Sequence, residues 1–251
     1  MIQLVEHFYS IQGEGKYLGR PSVFFRFGGC NLTCKGFGCT EIAPNGTQIT
    51  GCDTVYAVDQ SFKPTWIGID KVETLIAILK GYNLPFLVDV VFTGGEPLLY
   101  HNDPIFIAFL EYLITHNHQV TFETNATIKP DFTKNSVFKE CIYALSVKLQ
   151  NADEPYEKRV RPSVIHSIAQ NAKEAFFKFS IDKDSIDAAL DSEIEDILSY
   201  APFLDVYCMP VGGDKKTIES NTLPLIEYCK NNGYIFSDRL HIRIWDDNKG
   251  V

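Results

Sequence analysis

Four of the seven cysteines, Cys30, Cys34, Cys39 and Cys52, crowd into residues 30–52, and the other three are scattered. An odd total crowded in this way suits a reducing compartment and a metal site better than a disulfide framework. The run FRFGGCNLTCKGFGC places the first pair on a glycine-containing loop just after a β-rich run, where thiolates and backbone can converge on a metal. Two kinds of site use such ligands. Four thiolates can enclose one zinc ion as a closed structural site. Three can hold a four-iron cluster and leave one iron open for a substrate to chelate, and only that arrangement gives redox catalysis.

Such ligands need a scaffold, and the rest of the chain reads as one. Short β-rich runs at Ser22–Phe27, Val88–Thr93, Gln119–Glu123, Ala144–Lys148, Ala175–Ser180, Leu204–Met209 and Leu240–Trp245 alternate with helical patterns at Asp70–Lys80, Asp103–Thr115, Asp184–Tyr200 and Thr217–Asn231. This alternation predicts an α/β fold with a mostly parallel sheet of six or seven βα steps, and ligands at the carboxyl ends of the strands. Thr40–Lys63 and Leu149–Ser163 carry prolines without periodicity and are expected to be functional or connecting loops. No repeat or low-complexity linker divides the chain, so residues 1–251 are expected to form a single domain.

With 251 residues and 45% apolar content, the chain can bury a sizeable core. A formal charge of -9 opposes any partner held mainly through phosphates, so nucleic acid is not expected. No apolar run reaches the ~20 residues of a membrane helix, and the start MIQLVEHFYS does not read as a signal peptide, so the expected location is cytoplasmic. His116 and His118 close a helical pattern where they complement the helix dipole. His241 and Arg243 alternate on the expected C-terminal strand and point to one face. Cys141, Cys208 and Cys229 read as buried small apolar residues, and Lys178 is the one inward polar candidate among the aromatic strands.

CNLTC followed by VVFTGGEP at Val90–Pro97 resembles the radical S-adenosylmethionine (SAM) superfamily. The opening FYSIQGEGKYLGRPSVFFRFGGCNLTC, with GCDTVYA, ETNAT at Glu123–Thr127 and SVK at Ser146–Lys148, is similar to the 7-carboxy-7-deazaguanine synthases; FKFS and MPVGG are weaker echoes. The order QGEG, CDT, GGEP is specific, whereas each motif alone is not. The resemblance implies an incomplete (βα) barrel of the radical SAM type and, as cofactors, a [4Fe-4S] cluster, SAM and Mg2+. It also implies an external electron donor such as flavodoxin, a homodimer, and a place in queuosine precursor biosynthesis. The implied reaction converts 6-carboxy-5,6,7,8-tetrahydropterin to 7-carboxy-7-deazaguanine with loss of ammonia.

Carried over residue by residue, Cys30, Cys34 and Cys52 hold the cluster. The family's third cysteine follows the second after two residues and precedes Asp-Thr. Here Cys39 follows after four, and Asp53-Thr54 follow Cys52, across an insertion at about residues 35–51. Cys52 is favoured because an insertion costs little closure entropy, and Cys39 stays open as the alternative. Gly95 receives the amino group of SAM. Ser146, Val147 (where proline is usual), Lys148 and Glu123 are the other expected cofactor contacts. Ile11, Gln12, Gly13, Glu14, Arg26 and Thr93 are expected around the substrate: Arg26 for its carboxylate, Glu14 for its amino-pyrimidine edge. Thr54 is the expected Mg2+ ligand. Two alternatives are an activating enzyme acting on a protein glycyl site, which has no need of QGEG or CDT, and a zinc-stabilised binding module.

Overall fold

The computed structural model describes residues 1–250, the side chain of Ala188 excepted. In chain order the strands are β1 (Ile2–Ile11), β2 (Pro21–Phe27), β3 (Cys39–Ile42), β4 (Gln48–Gly51), β5 (Ile67–Ile69), β6 (Asp89–Gly94), β7 (Val120–Thr124), β8 (Ile142–Leu145), β9 (Glu174–Ile181), β10 (Val206–Pro210) and β11 (Ile235–Phe236). The helices are α1 (Val55–Val58), α2 (Val72–Gly81), α3 (Pro104–Thr115), α4 (Tyr156–Arg159), α5 (Pro162–Asn171), α6 (Ala188–Ser199), α7 (Lys215–Asn232) and α8 (Leu240–Trp245).

Nine strands make one sheet in the order β11-β10-β9-β8-β7-β6-β2-β1-β5, and β3 and β4 form a separate hairpin. Neighbours from β2 to β11 are parallel, and β1 is antiparallel to β2 and β5. Parallel neighbours need crossovers, which α3, α6 and α7 provide together with the segments around α2 and α5. With β5 and β11 at its two ends, the sheet is an open, mostly parallel one, as an incomplete barrel requires.

Strand alternation sorts the side chains between two faces. Phe25, Phe27, Phe92, Phe122, Phe177 and Phe179 are fully buried and share one continuous core with Phe106 and Phe109 of α3, Ile165 of α5 and Ile194 of α6. Phe92 meets Phe27 and Phe122 edge-on at 5.3 Å and stacks on Phe109 at 5.7 Å. The opposite face carries a smaller apolar floor of Ile142, Ala144, Phe176 and Tyr207, against which Tyr17 packs. Its next residues up the strands are the polar ones described below.

Helix starts follow the acidic residues. Asp103 accepts from the backbone N–H of Ile105 (2.9 Å) with Pro104 in the first turn, while Asp187 and Asp214 cap α6 and α7 in the same way. Four expectations change. Leu240–Trp245 is the helix α8 and not a strand, because six residues of alternating pattern are too few to separate the two periods and the backbone N–H of Leu240 is drawn to the Gly13 carbonyl (2.9 Å). Ala144–Lys148 is strand only to Leu145. The segment read as a loop at Thr40–Lys63 holds the β3–β4 hairpin and α1, and Pro162 opens α5 where it suggested a break. Among the described residues no helix is long and apolar enough to cross a membrane.

Candidate active site

The carboxyl ends of β2, β6, β7 and β8 feed the cysteine loop, the GGEP turn, ETNAT and SVK into one region. Backbone bonds lock the first two together: Gly95 N–H donates to Phe27 O (3.1 Å) and Glu96 N–H to Gly29 O (2.8 Å). The approach is so close that a Cβ on Gly95 would lie 2.1 Å from the Gly29 oxygen. Glu96 is wholly buried and accepts from Leu98 N–H (3.0 Å), the Thr124 hydroxyl (2.8 Å) and Asn125 N–H (2.7 Å), tying the turn to the end of β7. Burial nevertheless pushes its carboxyl up to about 7. Asn125 in turn donates to Asn31 (3.0 Å) and reaches Cys30 Sγ at 3.8 Å, and Glu154 accepts from the N–H groups of Thr33 and Cys34.

Cys30, Cys34 and Cys52 share a small apolar patch with Leu32, Phe37 and Ala152. The insertion explains how Cys52 gets there. Cys39 lies opposite Gly51 in the β3–β4 register, so the chain leaves at Cys39, turns at Asn45-Gly46 and returns beside its starting point. Cys39 itself stays outside the patch, with its thiol near the Phe37 carbonyl (3.8 Å). Burial pushes the thiols of Cys30 and Cys34 up to about 12, and that of Cys39 up to about 11. Among the described residues no three His, Cys, Asp or Glu side chains converge on one metal-ion position.

Above the apolar floor, a row of polar side chains runs across the sheet. Arg26 of β2 donates from Nε to Glu6 (2.7 Å) and lies over the Tyr56 ring. Beside it the Thr93 hydroxyl donates to Glu123 Oε2 (2.8 Å), whose Oε1 accepts from Lys178 (3.0 Å) and Gln12 (3.4 Å). Lys178 also donates to Glu14 Oε2 (2.7 Å), and Arg239 donates to Glu14 Oε1 (2.8 Å) and Asp53 (2.6 Å). The QGEG turn therefore crosses from β1 to the last strands. Burial alone would raise the Glu14 carboxyl, but Lys178 and Arg239 hold it well below the usual carboxylate range. The same pairing keeps Lys178 charged against its burial.

No family model matches the chain. A 7-carboxy-7-deazaguanine synthase of Archaeoglobus fulgidus is 31% identical over 198 residues, which span 76% of this chain and 77% of that protein. The chain belongs to the 7-carboxy-7-deazaguanine synthase family. A synthase of the same description from Halobacterium salinarum is 28% identical over 255 residues, 96% of this chain and 90% of its own. In fold, the chain superposes on the crystal structure of QueE from Escherichia coli with a TM-score of 0.65 at 19% identity, covering 96% of this chain and 94% of that one. The fold is the open α/β sheet of radical SAM enzymes.

Within this family member, the structure brings Gln12, Glu14, Thr93, Glu123, Lys178 and Arg239 into one hydrogen-bonded row, with Arg26 beside it in register with Thr93. Gly13 lies under His241, whose Nδ1 would be 2.0 Å from a Cβ there. Ile11 stands apart on the wall of a cavity of about 410 Å³ with Tyr9, Ser10, Pro21, Trp245 and Gly250. Ser146 N–H donates to the Thr124 carbonyl (2.7 Å), and the Lys148 ammonium is near enough to favour the thiolates of Cys34 and Cys52. The side chain of Val147 is buried in the main core, which leaves only its backbone for a ligand. Thr54 Oγ1 lies 3.4 Å from Cys52 Sγ. His241 sits on a helix and not on a strand, 3.9 Å from Glu14, and burial lowers its pKa so that it is neutral at pH 7. Sequence reasoning assigned no role to Glu96, Asn125 or Glu154, although the first two lie inside quoted motifs. For Arg239 no sequence signal existed.

Proposed function

We propose that this chain forms 7-carboxy-7-deazaguanine from 6-carboxy-5,6,7,8-tetrahydropterin, with a [4Fe-4S] cluster on Cys30, Cys34 and Cys52 and with SAM along Gly95, Ser146, Lys148 and the backbone of Val147. The observation that carries the reading is the meeting, at one end of the parallel strands, of a three-thiol patch, a glycine turn hydrogen-bonded to it and a row of paired charges. The donor set suits the cluster: all three ligands are thiols, N–H donors from Leu32 (3.4 Å) and Asn125 already point at Cys30, and the Thr54 hydroxyl lies 3.4 Å from Cys52 Sγ. Metal loading then displaces the protons that burial holds on the thiols.

When bound by these residues, the cluster and SAM would supply the radical chemistry of the reaction. The chain's residues hold and shield. Arg26 gives Nε to Glu6, and among the described residues neither Nη group donates to protein, so that edge is free to take the substrate carboxylate. Glu14, ionised and acceptor-only, receives paired N–H donors of the amino-pyrimidine. Glu123, held by Thr93 and Lys178, stands next in line on the same face. Thr54 would offer its hydroxyl as a hard oxygen ligand to Mg2+. An external electron donor of the flavodoxin kind and a homodimer belong to the same proposal.

The test is anaerobic reconstitution with iron and sulfide, followed by dithionite, SAM, Mg2+ and 6-carboxytetrahydropterin. Product with about four irons per chain, and SAM not consumed in net terms, is the expected result. Deoxyadenosine without the product would discard the pterin, and a zinc-loaded protein without iron would overturn the radical chemistry. For the ligand set, Cys52→Ser loses the iron and Cys39→Ser keeps it; the reverse result moves the third ligand to Cys39.

A further inference from the structure

Among the described residues, Arg239 is the one side chain that joins the QGEG turn to the segment after Cys52, and its role follows from its partners. Its Nε meets Glu14 in the QGEG turn (2.8 Å), its Nη2 meets Asp53 next to Cys52 (2.6 Å), and its Nη1 donates to the carbonyl of Gly212 after β10. The three partners come from three segments that nothing else in the row joins. A planar fork can serve three acceptors in fixed directions, which a lysine ammonium on a flexible stem cannot.

We infer that Arg239 is a positioning residue that fixes Glu14 as the acceptor for an amidine-type edge and locks that acceptor to the segment carrying Cys52 and Thr54. The inference rests on the reading of the site as a pterin site and deepens it. Glu14 uses Oε2 for Lys178 and Oε1 for Arg239, so each oxygen keeps a lone pair and neither can rotate away. A carboxylate held in this way rewards a ligand with two adjacent N–H donors and penalises one that presents a carbonyl at the same place, since two acceptors then face each other without a proton. Without Arg239, Glu14 is held by Lys178 on one oxygen alone and Asp53 loses its charged partner.

The experiment is a fluorescence titration of the reconstituted, unreduced protein with oxidised 6-carboxypterin and with 6-carboxylumazine, its counterpart bearing an oxygen in place of the 2-amino group. Iron content and urea midpoint are measured alongside. The parent protein is expected to prefer the pterin by about tenfold or more. Arg239→Gln weakens pterin binding about tenfold, leaves the lumazine nearly unchanged and keeps its iron, so the preference collapses; Arg239→Lys restores only part of it. Should Arg239→Gln fail to fold, Arg239→Lys carries the test: it keeps the positive charge beside Glu14 and Asp53 and is expected to lose most of the preference because the three-way fork is gone. Equal weakening of both ligands, or a preference unchanged in the variant, overturns the inference and leaves the pterin reading standing. A parent protein that binds neither ligand overturns that reading and the inference with it.

Discussion

Phe25, Phe92, Phe122 and Phe177 leave one face of the sheet, while their neighbours Arg26, Thr93, Glu123 and Lys178 leave the other. The first set is held by shape. Phe25, Phe92 and Phe122 each touch several other rings, Phe177 stacks on Phe179, and no contact depends on the orientation of a single bond. The second set is held by matching, because each charge is buried or half-buried and has a named partner. A packed face therefore tolerates exchanges that conserve volume, whereas a matched face fails when one member is lost even though the sheet beneath it is intact.

The largest expected effect lies on the packed face. Phe92→Ala costs about 3–5 kcal/mol in urea unfolding, while the protein that remains folded keeps its iron. Lys178→Met leaves Glu123 without a cationic partner and Glu14 with Arg239 alone, and is expected to cost about 3 kcal/mol and to abolish product formation. Adding Glu123→Gln recovers part of the stability and none of the activity. If Lys178→Met were neutral in both, the distinction between the faces would be lost. Glu96 sharpens the comparison from a third place, since it is buried without a counter-ion. Its folded carboxyl titrates near 7 against 4.5 unfolded, so the folded state holds the extra proton and stability falls as pH rises through that window. In the metal-free chain the fall amounts to about 3 kcal/mol, and it disappears in Glu96→Gln. Glu14 and Asp53 have the opposite sign, because their lowered values give stability that is present above their unfolded values of 4.5 and 3.8 and is lost as acid protonates them. A stability profile that rises steadily from pH 5 to 8 would contradict the Glu96 assignment. The smallest effect closes the series: Phe92→Leu, a change of shape on the packed face, costs less than about 1.5 kcal/mol.

These two faces were not equally legible. The packed strands announce themselves as aromatic and β-branched runs, and five of the six parallel strands from β2 to β10 fall within a residue or two of their expected ends. The exception, β8, stops at Leu145 because Ser146 turns to bond the end of β7. β1 was missed although IQLVEHFYSI is ten residues of strand, since its pattern is spoiled by a register shift between Leu4 and Glu6. The hairpin could have been found: Asn45-Gly46 between alternating residues is the strongest short-range turn signal. On the matched face, GGEP, QGEG and the cysteines carried their own motifs, and Lys178 betrayed itself as a lone charge in an aromatic strand. Arg239 could not be found this way. It sits between Asp238 and the short alternating run that starts at Leu240, with no motif of its own, and its burial is a property of three distant segments meeting.

The β3–β4 hairpin also bears on how such chains are found. Its two ends lie side by side, so the distance in space between Cys34 and Cys52 is set by the Cys39–Gly51 pairing and not by the residues between them. On the proposed ligand set, a search that fixes the count between the second and third cysteines mistakes a folded detour for a missing ligand. A search that lets paired strands drop out of the count would recover it.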